Sequence, residues 1–171
     1  MESQTTICQG CGLILPKGER LPENPFHGSA ECWQRYGELA AYTQSLQDPG
    51  FLHQTVVDAY EAQHAGGKAK PIAVWFGLIG LYLVLERGCT GREAQRAHMA
   101  LGKGKRTYPP LPVPTHTWEI TVVDVLAEPE ATRTAAILRW AHAVWDGWKP
   151  QQATIRHFMA ETVRDERTNR G

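Results

Sequence analysis

Cys8 and Cys11 are separated only by Gln9 and Gly10 and are followed at once by Gly12. Two thiols at this spacing on a glycine-containing turn face one metal ion together. A metal held by two donors needs two more, and these must come from elsewhere in the chain. The pair therefore constrains the topology: wherever the other donors lie, the N-terminus must return to meet them.

The next segments supply candidates. Ser29 caps a first helix with inward positions Cys32, Trp33, Tyr36, Leu39, Ala40, Thr43 and Leu46, spaced at three and four. Asp48-Pro49-Gly50 ends it in a turn. A second helix runs over about residues 51–65, with His53, Val56, Val57, Tyr60 and His64 on one face, and Gly66-Gly67 terminates it. Cys32, just inside the first helix, is the natural third donor. It stands ~15 residues before the turn, or ~21 Å at the helical rise, and His64 stands ~14 residues after it. An antiparallel hairpin thus brings His64 level with Cys32. His53 stays near the turn, more than ~12 Å from Cys32 by the same rise. His27, five residues before Cys32, remains an alternative that needs no hairpin. The expected site is Cys8, Cys11, Cys32 and His64 around Zn2+, a closed set of structural type that staples the N-terminal loop to the helices.

Beyond residue 70 the chain reads as helix after helix. Pro71 suits a first turn, and residues 72–85 are apolar on nearly every side, as a central bundle helix would be. Gly77 and Gly80 within it allow close approach of a neighbour. Thr90 with Glu93, and Thr121 with Asp124, have capping-box spacing. Four prolines within residues 109–114 impose extended chain. Pro129 opens a long helix with the stripe Ala135, Leu138, Ala141, His142, Trp145 and Trp148, leaving Trp140 off it. Pro150 begins the last helix, with Ile155, Phe158, Met159 and Thr162 inward, and a charged tail over residues 164–171 follows. No segment reads as a strand. The expected fold is all-α, a helical bundle of five to seven helices with a small N-terminal zinc knuckle. It is one domain over residues 1–171, with knuckle and loop at 1–28, bundle at 29–168 and a proline-rich loop at 102–118.

Composition limits function. The 171 residues carry 18 basic and 18 acidic side chains, so no broad positive field draws the chain to nucleic acid or anionic membrane. Glu2 and Ser3-Gln4-Thr5 replace the basic, apolar start of a secretory signal, and no apolar run reaches the ~20 residues of a spanning helix. With Cys-x2-Cys usage, this points to a reducing compartment, the cytoplasm.

Other residues of site-forming type have ordinary explanations. His53, His98 and His142 fall on inward stripes, yet none has the carboxylate spacing of a bundle metal site. Asp58 points more than ~100° from the His53–Tyr60 face. Cys89 lies beside Arg87 and Arg92 but has no base spaced to activate it. Lys103-Gly104-Lys105-Arg106 is a short basic loop.

The chain also resembles a family of small bacterial proteins of unknown function. The resemblance is carried by Cys8-x2-Cys11-Gly12, Glu31-Cys32-Trp33-x2-Tyr36, His53-x3-Val57-Asp58-Ala59-Tyr60-x2-Gln63-His64 and the helix ending Leu83-Val84-Leu85-Glu86-Arg87. It continues through Tyr108-x2-Leu111, Thr121-Val122-x-Asp124-Val125-Leu126 and Trp140-Ala141-x2-Val144-Trp145-x2-Trp148. Gln151-Gln152 departs from it, since a histidine is expected there, which argues against a metal ligand from the last helix. The resemblance implies one domain and a bacterial source, and no activity.

The expected function is that of a non-enzymatic zinc-binding helical protein engaging a protein or small-molecule partner. The alternative is a metal-dependent enzyme with its site in the bundle or at an open zinc. Nucleic-acid binding rests only on the knuckle and the basic loop.

Overall fold

The computed structural model describes residues 4–115 and 117–169. Glu2 and Ser3 of the polar start, one position of the proline-rich loop and the end of the charged tail lie outside the described residues.

The chain opens with a hairpin of two short strands, β1 (Thr5–Ile7) and β2 (Ile14–Pro16), paired antiparallel with Ile7 opposite Ile14. Seven helices follow among the described residues: α1 (Ala30–Ser45), α2 (Leu52–Gln63), α3 (Pro71–Leu85), α4 (Gly91–Gly102), α5 (Val122–Ala127), α6 (Glu130–Gly147) and α7 (Gln152–Thr168). The expected all-α bundle is therefore present, with the hairpin as an addition. Three-residue strands are too short for alternation to announce them. None of the described helices is long and apolar enough to cross a membrane.

The helix boundaries obey local chemistry. Ser29 Oγ accepts from Cys32 N at 3.1 Å and starts α1. Asp48 ends the connection by accepting from Gly50 N and Leu52 N, both at 2.8 Å. Glu93 accepts from Thr90 N at 2.7 Å, and Asp124 from Thr121 N at 2.7 Å, closing both capping boxes.

The central helix is α2 rather than the more apolar α3. It packs against α1, α3, α4 and α6, and eight of its twelve residues are buried. Several of those are polar, and His53 and Gln63 find partners that composition alone does not reveal. His53 Nδ1 meets Thr43 Oγ1 at 2.9 Å. Gln63 donates to the Ile120 carbonyl at 2.8 Å and accepts from Trp140 Nε1 at 3.1 Å. Trp148 Nε1 donates to the Ala62 carbonyl at 2.9 Å, one of the acceptors the last turn of a helix leaves free. Hence α6 is rotated from its expected stripe: Ile137, Trp140, Ala141, Val144 and Trp145 are buried, whereas His142 is exposed. The indole of Trp140 buries fully because Gln63 satisfies its N–H.

Gly80 does what its position suggested. A Cβ there would overlap the Asp58 carboxyl, and one at Gly77 would lie 2.8 Å from the Asp58 carbonyl oxygen. The smooth face of α3 thus lets α2 approach closely enough to enclose Asp58. Its Oδ1 accepts from Gln54 Nε2 at 2.9 Å, and His98 Nδ1 lies 3.9 Å away. Burial raises the Asp58 carboxyl well above the ordinary carboxylate range and lowers His98 to about 4. Glu61, one turn further along, is pushed up to about 8 by burial.

Two outcomes are expected. Gly80→Ala should cost about 1–3 kcal/mol by overpacking against Asp58, measured by urea denaturation. Glu61 holds its proton in the folded chain between pH 4.5 and about 8, where the unfolded chain has released it. Stability therefore falls as pH rises through that window. Glu61→Gln should remove this slope and be more stable than the parent at pH 8, by on the order of 2 kcal/mol, with little difference at pH 4.5.

Candidate metal centre

The Cys-x2-Cys turn is built by the hairpin that carries it. Cys8 N donates to Leu13 O and Gly12 N to Cys8 O, each at 2.8 Å. Gly12 takes a positive φ of 77°, which a glycine adopts without strain. These bonds fold the chain back so that both thiols point off one side, toward α1 and α2. Glu31, in the first turn of α1, ties the hairpin down by accepting from Gly18 N at 3.1 Å.

Cys8, Cys11, Cys32 and His64 then meet. Their four donor atoms all lie within 4.8 Å of one another, and all four residues are buried. Cys11 Sγ is 3.8 Å from Cys32 Sγ, and Cys32 Sγ is 3.4 Å from His64 Nε2. The hairpin register inferred from helical rise places His64 correctly, although His64 is the residue just past the end of α2 rather than within it. His27 stays outside the group. Its backbone N–H donates to the His64 carbonyl at 3.0 Å, and its ring packs over Gly67. His53 is held at the far end of α2 by Thr43 and Gln44.

The surroundings orient each donor. His64 Nδ1 lies 2.9 Å from the Tyr60 carbonyl, an acceptor that makes it the protonated nitrogen and leaves Nε2 free to face the thiols. The Tyr60 hydroxyl donates to Cys32 Sγ at 3.5 Å, and it accepts in turn from Asn24 Nδ2 at 2.9 Å. Asn24 also donates to Ser29 O at 3.1 Å, linking the helix cap to the cluster. The Tyr60 ring stacks on the His64 imidazole with centroids 3.9 Å apart. Gly10 fits because it lacks a side chain: a Cβ would sit 2.6 Å from His64 Cδ2. Asn24 and Tyr60 as supporting residues escaped the sequence reading, since an isolated asparagine among prolines signals only a turn.

Three thiols in one dry pocket compete for a single negative charge. Hydrogen bonds from Cys11 and Cys32 hold Cys8 well below the ordinary thiol value. Cys11 is pulled down by a hydrogen bond from Cys32, yet its bond to Cys8 and burial push it up to about 12. Cys32 is driven far above the usual range by its bonds to Cys11 and Cys8 and by burial. A cation amid these sulfurs would supply the charge that lets more than one ionise. Donor type, burial and spacing all fit a bound metal ion.

Nothing comparable exists among the described residues of the bundle. Among the described residues this is the one group of three or more His, Cys, Asp or Glu donors arranged for a metal. His53, His98 and His142 do not converge, because His142 faces outward and the other two have separate partners. Cys89, beside Arg87, has its thiol raised by burial and by Glu93, not lowered. Gln152, where the resemblance anticipated histidine, donates to Trp145 O at 3.0 Å instead.

Fold and site together define a helical bundle clasped at one end by a buried three-cysteine, one-histidine cluster. The chain belongs to the family described as "Family of unknown function (DUF5946)", which matches residues 6–149. No curated protein matches the chain, and no solved structure does.

Tyr60→Phe removes the hydrogen bond to Cys32 and one of the two acceptors of the Asn24 amide. It should weaken metal binding by about 10–100-fold, measured by competition with a chromophoric chelator. An unchanged affinity would mean that the hydroxyl serves packing alone.

Proposed function

We propose that the chain is a zinc-stabilised helical protein, non-enzymatic, that presents its bundle surface to a partner or small ligand. Cys8, Cys11, Cys32 and His64 hold one zinc ion. The observation that carries this is the spacing of the donors. A tetrahedron with ~2.3 Å zinc–sulfur and ~2.1 Å zinc–nitrogen bonds has edges of ~3.6–3.8 Å. The Cys11–Cys32 and Cys32–His64 separations, 3.8 and 3.4 Å, fall close to those edges.

Four protein donors leave no position for water or substrate, so the zinc supplies folding energy rather than Lewis acidity. It ties the β1–β2 hairpin, the start of α1 and the end of α2 into one unit. Buried free thiols suit a reducing compartment, and we place the protein in the cytoplasm on that ground.

Elemental analysis and X-ray absorption on protein purified without added metal test the reading. One zinc per chain with three sulfur and one nitrogen neighbours is expected. Cys11→Ser and His64→Ala should lose the ion and melt at lower temperature, while His27→Ala keeps it. Zinc retained by His64→Ala but lost by His27→Ala would overturn the ligand set. A water oxygen in the coordination shell would overturn the closed, structural role.

A further inference from the structure

We infer that the groove between α3 and α7 docks an acidic amphipathic helix of a partner protein. The inference rests on the partner-binding half of the proposed function and is independent of the zinc half. The groove has a volume of about 350 Å3 and is lined by both helices. Its floor is apolar, with Leu83 from α3 and Met159 and Val163 from α7. Val163 is 45% exposed, and its spacing from Met159 is that of one helix face.

Charge decides what fits. Arg87 stands on the α3 side, and Arg164 and Arg167 stand on the α7 side. None of the three guanidinium groups has a hydrogen-bond or ion-pair partner among the described residues. Other arginines nearby are spoken for: Arg156 pairs with Glu86 at 2.5 Å and Arg106 with Asp165 at 3.6 Å. Two of the three α7 carboxylates are engaged away from the floor, Asp165 by Arg106 and Glu161 by His157; Glu166 is exposed next to Arg167 and leaves the three arginines in excess.

An apolar strip with unpaired positive charge on both sides is the complement of a helix with an apolar stripe between two acidic edges. A single-headed anionic amphiphile would answer one wall and leave the other unpaired. The groove is also open along its length, so a small molecule would stay half in water, whereas a helix covers the floor with its own body. Methionine on the floor adapts to differing anchors. The arginines would steer the encounter and set its salt dependence more than its final affinity.

The probe is a synthetic, fluorescently labelled peptide of roughly five helical turns (~18 residues). It carries leucines at i, i+3, i+4 and i+7 with glutamates on both flanks, and a control peptide has every glutamate replaced by lysine. Fluorescence anisotropy against the full chain should show saturable binding of the glutamate peptide, weakened by salt, and none of the lysine peptide. Arg87→Glu alone, and Arg164→Glu with Arg167→Glu, should each reduce affinity by about tenfold or more. Zinc content and helicity of the same samples separate the two readings. Zinc retained while peptide binding is absent sinks the docking surface alone; zinc missing from the parent chain sinks the metal centre alone. Equal binding of both peptides, or variants that bind as well as the parent, overturns the inference. So does displacement of the peptide by submicellar dodecanoate. Binding to phosphatidylglycerol vesicles without binding to the peptide would assign the arginines to a membrane surface instead.

Discussion

The last turn of α2 is the joint on which the remaining structure hangs. A helix end leaves carbonyl groups without partners, and here α6 and the N-terminal loop each send a donor to them. The Tyr60 carbonyl receives the backbone N–H of His64 at 3.0 Å and faces its Nδ1 at 2.9 Å. The Ala62 carbonyl receives the indole of Trp148. The His64 carbonyl receives His27 N, from the loop that follows the hairpin. The same turn that aims an imidazole at three thiols therefore also fixes the end of α6 and the N-terminal loop.

That convergence explains why a polar helix occupies the centre. A more apolar one could bury as much surface, but it could not have chosen the rotation of α6 or the position of the loop. Gln63 selects Trp140, and Thr43 with Gln44 selects the orientation of His53. Directional bonds of this kind contribute modestly to stability, about 0.5–1.5 kcal/mol each, and more to singling out one arrangement. The cost appears at Asp58 and Glu61, whose carboxyls are driven up by the enclosure that the close approach of α3 creates.

Much of this was legible in the chain. Helix starts were readable because Ser29, Thr90 and Thr121 act through bonds that span only three residues. The pairing of Cys32 with His64 was readable because a tight turn at Asp48-Pro49-Gly50 and a constant helical rise leave little freedom of register. What depended on partners distant in sequence was not. Trp140 looked outward until Gln63, 77 positions away, is seen to meet its N–H. Misplacing Trp140 rotated the whole stripe and carried His142 inward with it. Asn24 and the short strands were hidden for the same reason: their roles exist only once the hairpin, the loop and α2 are together. The arginines of α7 and Arg87, just past the end of α3, likewise form no pattern until the two helices lie side by side.

The positions of the donors along the chain bear on the order in which the protein is made. Cys8, Cys11, Cys32 and His64 all precede α3, so the cluster and the α1–α2 pair are complete in sequence well before Trp148 emerges from the ribosome. Synthesis from the N-terminus lets this first segment gather early. Its α2 flank, meant for α3 and α6, then stands bare with its glutamine and carboxyl groups in water. Polar residues on that flank keep the waiting surface wettable, where a purely apolar helix would be left sticky. The mixed character of α2 thus suits a hub that has to wait for its neighbours.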